Sequence, residues 1–70
     1  MKWLLKQYMA QAHIDSMEEL AESTGIAKRT LYNRIENPKT IRIYELVALD
    51  EVLHFEENDL VRLAKGEPLN

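Results

Sequence analysis

The sequence predicts an all-α fold, a compact bundle of about five helices. Apolar residues recur at three- and four-residue spacings along most of the chain, which is the periodicity of helices rather than strands. The two glycines and two prolines fall between these helical patterns, where they are expected to end them. The chain contains no cysteine, so such a bundle has to be stabilised by helix packing without disulfides.

Local signals place the first two helices. The first covers about residues 2–12 and presents Leu5, Met9 and Ala12 on one face. The second covers residues 17–24, because Ser16 and Glu19 have the spacing of a capping box. It is expected to end before Gly25, since glycine readily adopts the left-handed conformation that closes a helix.

Three further helices follow. The third covers residues 28–36 and ends before Asn37-Pro38, because proline disfavours helical geometry in the residue that precedes it. The fourth covers about residues 44–53, and the fifth covers about residues 57–65 and ends at Gly66. The apolar face of these last two helices is predicted to carry Leu46, Leu49, Leu53, Leu60 and Leu63.

Residues 17–36 have the layout of a helix-turn-helix motif. Two short helices are joined at Gly25, and the small residue Ala21 lies four positions earlier, where the two helices would cross. In such motifs the second helix enters the major groove of DNA. We expect residues 1–70 to form one domain built around this motif.

Charge is unevenly distributed along the chain. The net charge is −3, yet residues 27–42 carry five positive charges and one negative, whereas residues 43–60 carry six negative charges and none positive. The basic segment coincides with the third helix and the loop after it. This distribution favours nucleic acid as the partner of that segment.

The third helix has a polar face opposite Leu31 and Ile35, and this face has the chemistry of a major-groove reader. Base reading is assigned to Lys28, Arg29 and Asn33, because arginine can donate twice to guanine and asparagine can pair with adenine. Contacts with the DNA backbone, or auxiliary contacts, are assigned to Thr30, Tyr32, Arg34, Lys39 and Thr40. The competing interpretation is a merely solvated helix face. Glu36, on the same face, is interpreted as the partner of a neighbouring cation.

Other classes of function are disfavoured. No apolar run approaches the roughly 18 residues that span a bilayer, so we expect a cytoplasmic protein without a membrane partner. His13 and His54 lack the spacing of metal ligands, and neither a metal nor a cofactor is expected. The acids at positions 56, 57 and 59 are interpreted as favourable first-turn helix charges, so an enzyme is not expected.

The chain resembles the lambda-repressor-like, Cro/C1-type helix-turn-helix regulators of temperate phages and prophages. The similarity covers about residues 14–66, and its strongest elements are Glu19-Leu20-Ala21, Gly25-Ile26, residues 30–35, Asn37-Pro38 and Glu45-Leu46. The short members of this family are small transcriptional regulators, such as those of the lysis/lysogeny decision. The resemblance implies a bundle of about five helices, a homodimer on two-fold double-stranded operator DNA, and base reading by Lys28, Arg29 and Asn33.

Two positions depart from the family pattern and leave a second hypothesis open. Met17 stands where family members often have a glutamine that grips a phosphate, and Ala27 stands where serine or threonine would cap the reading helix. The six acids of residues 43–60 are also expected to make much of the surface negative. The alternative function is therefore an antirepressor or modulator that binds a partner phage repressor through the same fold.

Overall fold

The computed structural model describes residues 3–67, which form five α-helices and one 3₁₀ turn, with no strand among them. The elements in chain order are α1 (Trp3–Gln11), α2 (Met17–Thr24), α3 (Lys28–Glu36), the 3₁₀ turn (Pro38–Thr40), α4 (Ile43–Leu53) and α5 (Glu57–Ala64). The all-α, five-helix prediction is confirmed. The predicted start of the first helix at residue 2 lies outside the described residues.

Helix bounds follow the local signals closely. Both α2 and α3 have the predicted bounds, α4 begins one residue earlier than predicted, and α1 and α5 each end one residue earlier. The side-chain oxygen of Ser16 accepts a hydrogen bond from the backbone N–H of Glu19 at 3.2 Å, which caps α2 as the sequence predicts. None of the helices within residues 3–67 has the length and apolarity needed to traverse a lipid bilayer.

The 3₁₀ turn was not predicted. Its first residue is Pro38, whose fixed backbone angle suits the start of a helical turn and whose missing N–H is not needed there. The N–H groups of Thr40 and Ile41 donate to the carbonyl oxygens of Asn37 and Pro38, at 2.9 Å and 3.1 Å. Because the Pro38 ring is buried, this turn is fixed against the body of the protein next to the end of α3.

One apolar core joins all five helices. The second helix packs against both α3 and α4, and Leu20 and Leu31 are fully buried where the two helices of the motif meet the core. Leu46 and Leu60, which were predicted on the buried faces of α4 and α5, are half-buried. The buried apolar residues are Leu5, Tyr8, Met9, Ile14, Met17, Leu20, Ile26, Leu31, Leu49, Leu53 and Leu63.

A tyrosine connects the first helix to the last. The Tyr8 hydroxyl donates to the Asp59 carboxylate and accepts from the backbone N–H of Glu56 at 3.0 Å. Its ring and the Phe55 ring pack in a T-shaped arrangement at a centroid distance of 4.9 Å. Burial, together with the adjacent Asp59 carboxylate, raises the pKa of Tyr8 above 10.0. The hydroxyl therefore stays protonated and secures α1 to the first turn of α5.

Candidate nucleic-acid interface

The turn between α2 and α3 is built by one glycine and one threonine. Gly25 adopts φ +74°, in the left-handed region, and its N–H donates to the Ala21 carbonyl oxygen at 2.9 Å. The Thr24 hydroxyl donates to the Leu20 carbonyl at 2.8 Å and accepts from the Ile26 N–H at 3.3 Å. These bonds satisfy the backbone groups at the turn, so α3 leaves α2 in a fixed direction.

The third helix presents its polar face to solvent. Leu31 is 0% exposed and Ile35 is half-buried, which anchors the opposite side of the helix to the core. The three side chains that were assigned to base reading are all exposed, as are Glu36 and Tyr32, the latter at 44%. These three side chains belong to Lys28, Arg29 and Asn33. All three are therefore accessible on α3, and we call the surface that they form the reading face.

One residue of the reading face is paired across the motif. The Lys28 ammonium donates to the Glu18 carboxylate in the first turn of α2. This ion pair lowers the pKa of Glu18 and raises the pKa of Lys28. The ammonium also lies 6.0 Å from the centroid of the Tyr32 ring. By contrast, Arg29 has no ion-pair partner within residues 3–67.

The candidate backbone contacts lie on α3 and on the 3₁₀ turn that follows. Lys39 and Thr40 are exposed on the turn, while Thr30 on α3 is half-buried. The Thr40 hydroxyl donates to the Asn37 carbonyl at 2.7 Å, so its position is fixed before any ligand binds. Two of these residues therefore lie on a preformed turn that adjoins the reading face.

Arg34 differs from the other candidates because its charge is engaged inside the protein. Its Nε donates to Oε1 of Glu45 at 2.9 Å, and the Arg34 side chain is only 19% exposed. A terminal nitrogen also lies 3.4 Å from the Thr40 hydroxyl. The predicted contact of Arg34 with the DNA backbone stays a prediction, but the structure gives this residue a positioning role.

Glu45 is a residue that the sequence interpretation missed, because it was counted among the acids of a negative surface. That expectation is wrong for Glu45, which is 2% exposed and accepts from the Arg42 backbone N–H at 2.9 Å. Its place at the third position of α4 is a signal for the helix-capping bond. Burial raises the pKa of Glu45, but the Arg42 N–H and the Arg34 guanidinium together hold the pKa below its ordinary 4.5.

The two departures from the family pattern have different outcomes. Ala27 caps α3 without any side-chain hydrogen bond, as the sequence predicts. The Met17 side chain is 4% exposed and belongs to the core, so it offers no group to a ligand at the position where family members often have a glutamine. An unbranched apolar side chain at the first position of α2 gains more by packing beneath the helix than by facing solvent.

The fold and this face define a helix-turn-helix domain. The family model of the Cro/C1-type HTH DNA-binding domain matches residues 4–66, so the chain belongs to that family. The all-α bundle is accordingly a lambda-repressor-like fold. A search of the curated proteins and a search of the solved structures found no match to this chain.

Proposed function

We propose that this protein is a small transcriptional regulator of the lysis/lysogeny type, which binds operator DNA through residues 28–36. The observation that carries the proposal is that Arg29 and Asn33 are both exposed on the reading face. They lie four residues apart on one helix and both are exposed, and neither side chain forms an ion pair or hydrogen bond with another group of residues 3–67. Their donors and acceptors are therefore available to base edges.

The proposed contacts follow from the chemistry of each side chain. In the major groove, Arg29 donates two hydrogen bonds to O6 and N7 of guanine, and Asn33 pairs with N6 and N7 of adenine one helical turn further along. Lys39 and Thr40 bind phosphates from the preformed turn, and Tyr32 supplies an auxiliary contact. Arg34 acts by fixing the end of α3 against α4 through Glu45. Two copies bind a two-fold operator in this proposal, as is usual for the family that the chain resembles.

The test is a binding measurement on DNA from upstream of the protein's own gene and on a random-sequence duplex. Arg29→Ala is expected to weaken binding to the cognate duplex about five- to 150-fold, since a bidentate base contact is worth about 1–3 kcal/mol. The matched control is Lys6→Ala, which removes one exposed positive charge from α1, outside the reading face. The proposal fails if the wild-type protein shifts neither duplex at low salt, or if the two variants weaken binding equally.

A second candidate function is binding to a partner repressor, as an antirepressor or modulator would do. The observation that favours it is an apolar strip on α4 and α5, formed by Ile43, Tyr44, Val47 and Val61, which are 83%, 68%, 49% and 44% exposed. Exposed apolar residues that cluster in this way are typical of protein interfaces. Light scattering coupled to size-exclusion chromatography, with and without a repressor encoded nearby, tests this candidate. Val47→Glu is expected to abolish the mixed complex. If the complex is unchanged, the apolar strip is not the surface that binds the repressor.

A further inference from the structure

The Glu18–Lys28 ion pair joins the starts of the two helices of the motif at the edge of the reading face. Glu18 is the second residue of α2 and Lys28 is the first residue of α3. Their side chains are 62% and 47% exposed, so both remain accessible from solvent. Within residues 3–67, Lys28 is the one base-reading candidate whose charge is matched by an acid.

The electrostatics of the helix ends explain why this pair forms. A carboxylate in the first turn of α2 is favoured by the helix dipole, whereas an ammonium in the first turn of α3 is disfavoured. Ala27 at the N-cap of α3 provides no side-chain acceptor for that region. The Glu18 carboxylate supplies a negative charge next to the Lys28 ammonium in that turn. The pair lowers the pKa of Glu18 and raises the pKa of Lys28, which shows that each group stabilises the charged form of the other.

The pair alters what Lys28 can contribute to DNA binding. Binding to random DNA depends on cations that neutralise phosphates and release counterions. A lysine already matched by a carboxylate adds little to that process. If Lys28 turned to a phosphate instead, the Glu18 carboxylate would be left unpaired beside a polyanion, which is unfavourable.

Base reading is affected much less. An ammonium has three N–H donors, of which one is used by Glu18, so two remain for acceptors such as O6 and N7 of guanine. The carboxylate also restrains the long lysine side chain, which reduces the entropy lost when it docks on a base edge. The pair therefore penalises phosphate contacts by Lys28 and preserves its contacts with bases.

We propose that Glu18 is a specificity-determining residue, which holds Lys28 toward base edges and weakens binding to random DNA more than binding to the operator. Glu18 acts through Lys28 and is a positioning residue. This inference rests on the proposed function, because it requires that the reading face bind DNA.

The test compares Glu18→Gln with Glu22→Gln, a matched control that removes the same charge from the same helix. Glu22 is exposed and has no ion-pair partner in the part of the chain that the structure describes. Fluorescence anisotropy measures affinity for a duplex selected in vitro with the wild-type protein and for a random-sequence duplex, over a series of KCl concentrations. Both glutamine substitutions are also made in a Lys28→Ala background.

Relative to Glu22→Gln, we expect Glu18→Gln to bind the random duplex about three- to tenfold more tightly at 100 mM KCl. Its slope of log K against log salt should be steeper by about 0.9, since Lys28 can then neutralise one more phosphate. Affinity for the selected duplex should change less than twofold, so the ratio of the two affinities falls. In the Lys28→Ala background the two glutamine variants should behave alike.

Three outcomes overturn the inference. If Glu18→Gln and Glu22→Gln have equal effects on both duplexes, the ion pair has no role in specificity, although the reading face still binds DNA. If Glu18→Gln retains its effect in the Lys28→Ala background, the carboxylate does not act through Lys28. If the wild-type protein binds neither duplex at any salt concentration, the proposed function fails and this inference fails with it.

Discussion

Glu45 joins the helix that carries the reading face to α4. It is a buried carboxylate at the start of α4, and it bonds at 2.9 Å both to Arg34 on α3 and to the backbone of Arg42. A buried charge is tolerated only when its partners are in place, because an unpaired one keeps the full cost of its lost hydration. The pair therefore fixes the end of α3 relative to α4, and with it the turn that carries Lys39 and Thr40.

We predict that Glu45→Gln lowers the free energy of unfolding by about 1–3 kcal/mol at pH 7, because the charged partner of Arg34 is lost. The pKa of Glu45 in the folded protein lies below the ordinary 4.5, so its contribution is complete above pH 4.5 and is lost as the pH falls through the folded pKa. The difference between wild type and variant should therefore be larger at pH 7 than at pH 3. Urea unfolding followed by circular dichroism at both values measures it.

The control for this prediction is Glu51→Gln, which removes an exposed acid from the same helix. Its effect on stability should be within about 0.5 kcal/mol at either pH, as is usual for surface substitutions. A stability difference between wild type and Glu45→Gln that is equal at pH 3 and pH 7 would contradict the role assigned to the carboxylate.

For single residues, exposure could be predicted from the sequence at some positions and not at others. The exposure of Arg29 and Asn33 could be predicted, because the positions of Leu31 and Ile35 on a helical wheel define which side of α3 is buried. Lys28 lies near the buried arc of that wheel, and it is exposed because it stands in the first turn of α3. The burial of Glu45 and of Met17 could not be predicted from the sequence. Both depend on which neighbouring helix covers the first turn of their own helix, and that is decided by tertiary packing.

At the scale of elements, local signals sufficed for the helices. The capping serine and Gly25 determine where α2 begins and ends, and Pro38 limits α3, so both helices have the predicted bounds. The 3₁₀ turn was missed because three residues are too few for a periodic pattern. Its conformation depends on burial of the Pro38 ring and on the close approach of Gly66 to Lys39.

The two glycines allow a prediction about these elements. Gly25 and Gly66 adopt φ +74° and +83°, and alanine is strained in either conformation by about 1–2 kcal/mol. Nothing lies within 4 Å of a Cβ at Gly25, whereas a Cβ at Gly66 would lie 2.6 Å from Cγ and 3.2 Å from Cα of Lys39. Gly66→Ala should therefore cost about 1–3 kcal/mol more than Gly25→Ala, because it adds overpacking to strain.

Urea unfolding midpoints of the two alanine variants, compared at 25 °C with a common slope, measure this difference. If Gly25→Ala proves as destabilising as Gly66→Ala, the close approach of Lys39 to a Cβ at position 66 adds no cost to the substitution. In that case backbone conformation alone would explain why glycine stands at both positions.

At the scale of the whole molecule, the question is how a chain of net charge −3 can bind a polyanion. The described part of the protein spans only 26 × 21 × 20 Å, yet five of the nine positive charges of the chain lie in residues 27–42 and six of its twelve negative charges lie in residues 43–60. The screening length is about 8 Å at 0.15 M salt and about 30 Å at 0.01 M. At physiological salt, DNA on the reading face is therefore influenced mainly by the charges nearest to it.

This argument predicts a salt-dependent effect of the exposed acids on α4 and α5. The double variant Glu51→Gln/Glu57→Gln should bind a random duplex severalfold more tightly than wild type at 10 mM salt, where the screening length exceeds the size of the protein. At 150 mM salt the gain should be less than about twofold. Arg29→Ala, in contrast, should remain strongly impaired on the selected duplex at both concentrations, because its loss is a direct base contact. A gain of the double variant that is equally large at both concentrations would place these acids beside the bound DNA, and the reading face would then extend beyond α3 and the 3₁₀ turn.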